Sequence, residues 1–221
     1  MKIRCNAVAL FAGAMLAPAA MATGLDVYIE FDGGAITTGE IDKDNGFTVT
    51  PGVRVFEGEL GTEGPGQTDD PGFFANTLPV GAQIGVNFID GLRKWDGSSF
   101  PYAAETMTLE KGIFSATTPV GAGSVPGFVF AEADGSGFFD DHPEYILDTP
   151  ASTGVFLLSL EVFTPSSGID NSEPIYIVFG NGVDDSQIDA GVDYVNNVII
   201  PAPSAVAACA PLALLGLRRR R

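Results

Sequence analysis

Cysteine, histidine and tryptophan are almost absent from this chain of 221 residues, which has two cysteines, one histidine and one tryptophan. Cys5 and Cys209 lie near the two ends, so the long segment between them contains no cysteine. This distribution excludes a Cys/His zinc module, and any Ser-His-Asp triad would have to use His142. A segment of this length without disulfides must be stabilised by its hydrophobic core or by bound ions.

Basic residues are also scarce, and most of them lie at the ends. The chain has 11 Lys and Arg against 28 Asp and Glu, a formal net charge of −17. Between residues 23 and 201 there are five basic residues against all 28 acidic residues, which gives this segment a charge of −23. Because such a body repels phosphate, the composition excludes nucleic-acid binding through neutralisation of the backbone.

Long helical patterns are missing from the same segment, and no stretch of ten or more residues has a clean period of 3.6. Glycine (28 residues) and proline (15 residues) favour short strands joined by turns. Apolar residues alternate at 27–31 and 84–88, and the runs 155–162 and 175–179 are apolar on both faces. We therefore expect an all-β fold of nine to eleven strands, an antiparallel, jelly-roll-like β-sandwich, with residues 58–71 as a long surface loop.

The first 22 residues have the pattern of a secretory signal peptide. Lys2 and Arg4 form a positive region, residues 7–17 are apolar, and Ala20 and Ala22 form an A-x-A cleavage site. We expect an N-terminal signal helix that signal peptidase removes. A buried N-terminal helix is the alternative.

The last 23 residues have a second three-part pattern. A short motif is followed by the apolar stretch 205–217, which is shorter than the roughly 20 residues that cross a bilayer, and then by a basic cluster. Excess arginine stays on the cytoplasmic side of a membrane, so the acidic body is predicted to lie outside. We expect a short C-terminal hydrophobic helix and divide the chain into 1–22, 23–198 and 199–221. The motif and the cluster are Pro201, Ala202 and Pro203, and Arg218, Arg219, Arg220 and Arg221.

This tail resembles the PEP-CTERM sorting signal, which an exosortase recognises and cleaves in Gram-negative bacteria. The Pro-Glu-Pro core of that signal stands here as Pro201-Ala202-Pro203, which is similar to the variant common in planctomycete-type bacteria. The resemblance implies signal peptidase and an exosortase-type transpeptidase as partners. It also implies transient anchoring in the inner membrane, cleavage near Pro203, and a final location at the cell surface or outside the cell. A plain C-terminal membrane anchor is the alternative.

The body resembles an uncharacterised group of exosortase-sorted surface proteins whose domain is a β-sandwich. The phrases LRKWDGSSF and SEPIYIVFGNG carry this resemblance. Some members have a His-x-His pair, which implies metal binding and a link to zinc regulation. In the corresponding segment of this chain His142 is present and Asp140 stands in place of the other histidine.

Two kinds of metal site are predicted from the residues themselves. Asp140 and His142 would need a further ligand for a transition metal, for which Glu144 or the Asp184-Asp185 turn is available; a solvated turn histidine is the alternative.

Calcium is the other ion hypothesis, since it takes six to eight oxygen ligands. Asp42 and Asp44 precede a glycine in a fragment of the EF-hand pattern, and Asp184 and Asp185 lie in a second acidic cluster. Ordinary acidic turns are the alternative.

Aromatic residues close in sequence suggest a further class of ligand. Trp95, Phe100 and Tyr102 would suit a saccharide if they were exposed, whereas a lone tryptophan is more often a core residue. No G-x-S-x-G motif or phosphate loop is present. We therefore expect an exported, non-enzymatic surface or matrix protein with no certain cofactor. The alternative is an extracellular module that binds calcium, another metal or an extracellular polysaccharide.

Overall fold

The computed structural model describes residues 25–200. The predicted signal helix with Ala20 and Ala22, the Pro201–Pro203 motif, the hydrophobic helix and the Arg218–Arg221 cluster lie outside the described residues. Between residues 25 and 200, no helix is long and apolar enough to cross a membrane.

Strands are the predominant secondary structure of the described chain, far ahead of helix, which confirms the predicted fold class at this level. Strands outnumber the nine to eleven expected, because several have only two or three residues and are too short to show an alternating pattern. The strands are β1 (Leu25–Asp32), β2 (Ala35–Asp42), β3 (Thr48–Pro51), β4 (Val55–Leu60), β5 (Gln67–Thr68), β6 (Phe73–Ala75), β7 (Gln83–Phe88), β8 (Arg93–Lys94), β9 (Met107–Lys111), β10 (Phe114–Thr117), β11 (Val125–Glu132), β12 (Phe139–Asp141), β13 (Glu144–Leu147), β14 (Gly154–Phe163) and β15 (Ile175–Asn181). They are followed by α1 (Asp185–Tyr194) and a π-helical segment (Val195–Ile199).

The strands form three sheets. One has the order β12-β6-β1-β2-β3, a second has the order β10-β9-β13-β5, and the third has the order β11-β7-β14-β15-β4 with β8 paired to β14. The prediction of a purely antiparallel arrangement is wrong, since β1 pairs with β6 in parallel and β4 pairs with β15 in parallel. Both parallel pairs join strands far apart in sequence, whose connections are long enough to return the chain in the same direction.

One hydrophobic core draws on all three sheets. Val27 of β1, Leu109 of β9 and Phe156 of β14 are buried in the same cluster. Residues on alternate sides of β14 serve two different cores, since Phe156 faces this cluster whereas Val155 and Leu157 face a second one under α1. The continuous apolar run of β14 therefore marks a strand covered on both faces, as predicted.

The predicted surface loop at residues 58–71 is partly wrong. Strand β4 continues to Leu60, and β5 lies at Gln67–Thr68. Gly58 suggests a loop in the sequence, but it is required inside β4: a Cβ added there would lie 2.5 Å from Cε1 of Phe179. Glycine at this position allows close approach between strand and ring.

The absence of helix predicted from periodicity is also wrong. Helix α1 and the π-helical segment place Ile188, Val192 and Val195 against the outer face of the third sheet. Gly191 interrupts this apolar stripe and lies against Val155 and Phe100. A larger side chain there would require these neighbours to move. Three acidic residues and a glycine within α1 obscure this apolar stripe in the sequence, and packing on the sheet stabilises the helix.

Candidate ion-pair site around His142

Three strands and one turn bring a cluster of charged side chains together at one end of the first sheet. Strand β6 lies between β1 and β12, with Phe73 paired to both Val27 and Asp141. Gly72 precedes Phe73, and a Cβ there would lie 2.5–2.6 Å from ring atoms of His142. Because Gly72 has no side chain, the imidazole lies across the backbone and reaches towards β1.

Lys43, in the turn after β2, supplies the cation at the centre of the cluster. Its Nζ lies 2.5 Å from Asp26 Oδ2, 3.1 Å from Asp140 Oδ1 and 3.2 Å from His142 Nε2. Desolvation lowers the pKa of Lys43, but Asp26 and Asp140 outweigh it and leave that pKa raised, so the ammonium stays charged.

Asp26 is the most buried member, with 1% of its surface exposed. Its Oδ1 accepts a hydrogen bond of 2.8 Å from the Gly72 N–H. Its Oδ2 makes no hydrogen bond of good geometry within residues 25–200, and it faces the Lys43 ammonium as an ion pair. A carboxylate removed from water in this way depends on its counterion.

His142 carries a second positive charge. Its Nδ1 lies 3.3 Å from Asp70 Oδ1 and 3.1 Å from the Asp69 carbonyl oxygen, and its Nε2 lies 3.4 Å from Asp140 Oδ1. The hydrogen bond to Asp70 raises the pKa of His142 to about 9, against desolvation and the repulsion of Lys43. The ring is therefore protonated at neutral pH and links two carboxylates.

The predicted transition-metal residues are partly brought together. Asp140 and His142 meet, but the third ligating group within 4.8 Å is Asp26 and neither Glu144 nor the Asp184-Asp185 turn. The Lys43 ammonium lies among the same ligand atoms, 2.5 Å from Asp26 Oδ2 and 3.2 Å from His142 Nε2. As the side chains stand, the protein's own cations neutralise this cluster.

The predicted calcium residues lie elsewhere. Within the described part of the chain, the two groups of three ligating side chains both contain His142, and neither contains Asp42, Asp44, Asp184 or Asp185. Asp42 Oδ1 accepts a 2.9 Å hydrogen bond from the Asn45 N–H, a local turn contact.

The second acidic cluster belongs to the start of a helix. Asp184 is the N-cap of α1 and Asp185 lies in the first turn, where the helix dipole favours acidic residues. Desolvation, followed by repulsion from Asp189, raises the pKa of Glu57 on the neighbouring strand. Calcium binding at either cluster stays a prediction.

The aromatic residues predicted as a surface platform do not form one exposed surface in the structure. Phe100 is buried, and the Trp95 ring packs 4.9 Å from Phe100 and 5.1 Å from Tyr194. Only Tyr102 of the three is exposed, and the Arg93 guanidinium covers its ring at 4.1 Å. Trp95 and Phe100 therefore belong to the second core under α1.

Comparisons of the chain with protein-family models, with curated proteins and with solved structures gave no match. Asp26, Lys43 and Asp70 are the members of the ion cluster that sequence reasoning missed. The scarcity of basic residues was the available signal, since Lys43 is one of five in the body.

Proposed function

We propose that the chain is an exported, non-enzymatic protein of the cell surface or extracellular matrix, sorted and processed by an exosortase-type system. The observation that carries the proposal is the order of features after Ile200: a Pro-Ala-Pro motif, a short apolar stretch and four arginines. A signal-peptide pattern at the other end supports the same route.

The body is proposed to be a jelly-roll-like sandwich. Its support is the shared core, in which inward residues of β1, β9 and β14 meet in one cluster. The acidity of the body suits solubility outside the cell, since like charges keep molecules apart.

The absence of catalysis is part of the proposal, and the environment of the single histidine supports it. His142 contacts carboxylates, a lysine and a backbone carbonyl, and no serine hydroxyl within residues 25–200 hydrogen-bonds to it. A general base also needs a free lone pair near neutral pH, whereas this ring is protonated there.

Expression in exosortase-competent and exosortase-deficient hosts, followed by intact mass measurement, tests the sorting route. In the competent host we expect a product that has lost residues 1–22 and Arg218–Arg221. In the deficient host the arginines should remain. Pro201→Ala/Pro203→Ala should block removal of the arginines, whereas Pro165→Ala, an exposed proline of the body, should not. Retention of Arg218–Arg221 in the competent host would refute the proposal.

A further inference from the structure

A cavity of about 550 Å³ opens on the outer face of the third sheet, beside the C-terminal end of α1. Its lining includes Ser159 of β14, Tyr176 of β15, Phe100, Pro101 and Tyr194. Its size lies within the range of small-molecule sites, and its location between a sheet and a helix is common for them.

The cavity is electrically neutral in a strongly acidic protein. The charged side chains in its lining are Arg93 and Asp90. Arg93 donates from Nε at 2.9 Å and from a terminal nitrogen at 2.8 Å to Asp90 Oδ2, so the two charges cancel. A body with a charge of −23 repels anionic ligands, and a paired arginine does not attract them. The lining therefore favours an uncharged ligand.

Hydroxyl groups in the lining are available to such a ligand. No hydrogen bond between residues 25 and 200 uses the side-chain hydroxyl of Ser159, Tyr176 or Tyr194. Ser159 is 5% exposed as a residue, and its hydroxyl is available to water or to a ligand in the cavity. Each hydroxyl both donates and accepts, which suits a ligand that is itself rich in hydroxyls.

Aromatic rings supply the apolar part of the surface. Tyr176 and Tyr194 are half-buried and line the cavity, and the Tyr194 ring packs on the buried Phe100 ring at a centroid distance of 5.9 Å and an angle of 61°. A pyranose ring has C–H faces that pack on aromatic rings and a rim of hydroxyls that needs neutral hydrogen-bonding partners. Rings and free hydroxyls in one neutral cavity match both parts of that chemistry.

We propose that this cavity, the Tyr176–Tyr194 cavity, binds a neutral saccharide unit of one or two rings. The inference deepens the proposed function, because an extracellular polysaccharide is the source of such units for a surface protein. It differs from a flat platform of Trp95, Phe100 and Tyr102, since only Phe100 lines the cavity.

Fluorescence of Trp95 provides a direct measurement on the purified full chain. Trp95 is the one tryptophan, and it packs on Phe100 and Tyr194, which both line the cavity. Titration with cellobiose, maltose and N,N′-diacetylchitobiose should give a saturable change with at least one of them, and digalacturonate should give none. No saturable change with any neutral disaccharide would overturn the proposal, as would equal binding of digalacturonate.

Conservative variants separate the cavity from the fold. Tyr176→Phe and Tyr194→Phe keep the rings and remove one hydroxyl each, and each should weaken binding about five-fold, the effect of one neutral hydrogen bond. Tyr28→Phe is the matched control, because Tyr28 lies in the first sheet, away from the cavity, and its hydroxyl donates to Asn76. This variant should bind the disaccharide as the native chain does. Unchanged affinity in both cavity variants would also overturn the assignment.

The two proposals fail in different experiments. Sorting is tested by the mass of the product in cells, whereas saccharide binding is measured on purified protein. A chain that keeps Arg218–Arg221 but binds a disaccharide would refute sorting and support the cavity. A correctly processed chain that binds no disaccharide would support sorting and refute the saccharide site.

Discussion

Every basic residue of the body has an acidic partner. Because the body has five basic residues and 28 acidic residues, the composition favours a salt bridge for each basic residue. Which acidic residue forms it depends on the fold. Four of the pairs are partly exposed and contribute little to stability, whereas Lys43 meets a carboxylate that is almost fully buried. The pairs are Lys43–Asp26, Arg54–Glu173, Arg93–Asp90, Lys94–Glu105 and Lys111–Asp141.

Lys43→Met should therefore destabilise the protein strongly. We expect the free energy of unfolding to fall by about 3 kcal/mol, the low end for a broken buried pair, because protonated His142 still lies near Asp26. Urea unfolding at pH 7 measures the change. Lys111→Met, which breaks a more exposed pair, is the control and should cost less than about 1 kcal/mol.

A double variant checks the cause. In Asp26→Asn/Lys43→Met both charges are absent, so most of the stability lost in Lys43→Met should return. Equal stability of Lys43→Met and the native chain would show that the ion pair is not a source of stability.

His142 makes stability depend on pH. Its pKa is raised from 6.5 to about 9 in the folded state, so its contribution is complete below pH 6.5 and is lost as the pH rises through 9. We expect the free energy of unfolding to fall by roughly 2–3 kcal/mol between pH 6 and pH 9.5. Urea unfolding across this range measures it.

Two variants serve as controls for that slope. His142→Gln should be less stable at pH 6 and should lack most of the slope. Asp70→Asn removes the main cause of the raised pKa and should move the loss to lower pH. The same slope in His142→Gln and the native chain would assign the titration to another group.

At the scale of elements, continuous apolar runs were the most informative part of the sequence. The runs at 155–162 and 175–179 correctly predicted β14 and β15, since a strand covered on both faces has few alternatives. The helix after Asp184 was missed because its stability comes from packing on the sheet, and its own residues have a weak apolar stripe.

The ion cluster shows the same limit at longer range. Asp140 and His142 are close in sequence and were predicted together. Asp26 and Lys43 join them only because β6 inserts between β1 and β12, a pairing that no local pattern indicates. The pair that is close in sequence was therefore predictable, but the distant residues that complete the cluster depend on the order of strands in the sheet.

Substitutions in the π-helical segment test whether packing on the sheet stabilises the helical end of the body. Val195 is fully buried, whereas Val198, three residues later, is 56% exposed. We expect Val195→Ala to lower the free energy of unfolding by roughly 1–3 kcal/mol and Val198→Ala by less than about 0.5 kcal/mol. Urea unfolding followed by Trp95 fluorescence measures both, and equal effects would contradict the packing of this segment.

For the whole molecule, charge is the dominant property. A body with a charge of −23 repels itself, and added salt screens that repulsion. We expect the melting temperature to rise with sodium chloride. Within the described residues no three ligating side chains meet at Asp42–Asp44 or at Asp184–Asp185, so we expect calcium chloride at the same ionic strength to give an equal rise.

Calorimetry in the two salts, with and without a chelator, measures this comparison. A midpoint that is higher in calcium and that a chelator returns to the sodium value would establish a native-state calcium site, because a ligand bound only by the folded state stabilises it.

The parallel pairing of β4 with β15 has a consequence for the order of folding. Val55 pairs with Tyr176, so the edge strand β4 can pair only after β15, which is synthesised about 120 residues later, is available. Contacts between strands so distant in sequence form slowly, and the third sheet lacks a central strand until β15 is available. The core that all three sheets share therefore stays incomplete until Ile175–Asn181 has been made, which is consistent with the export proposed above.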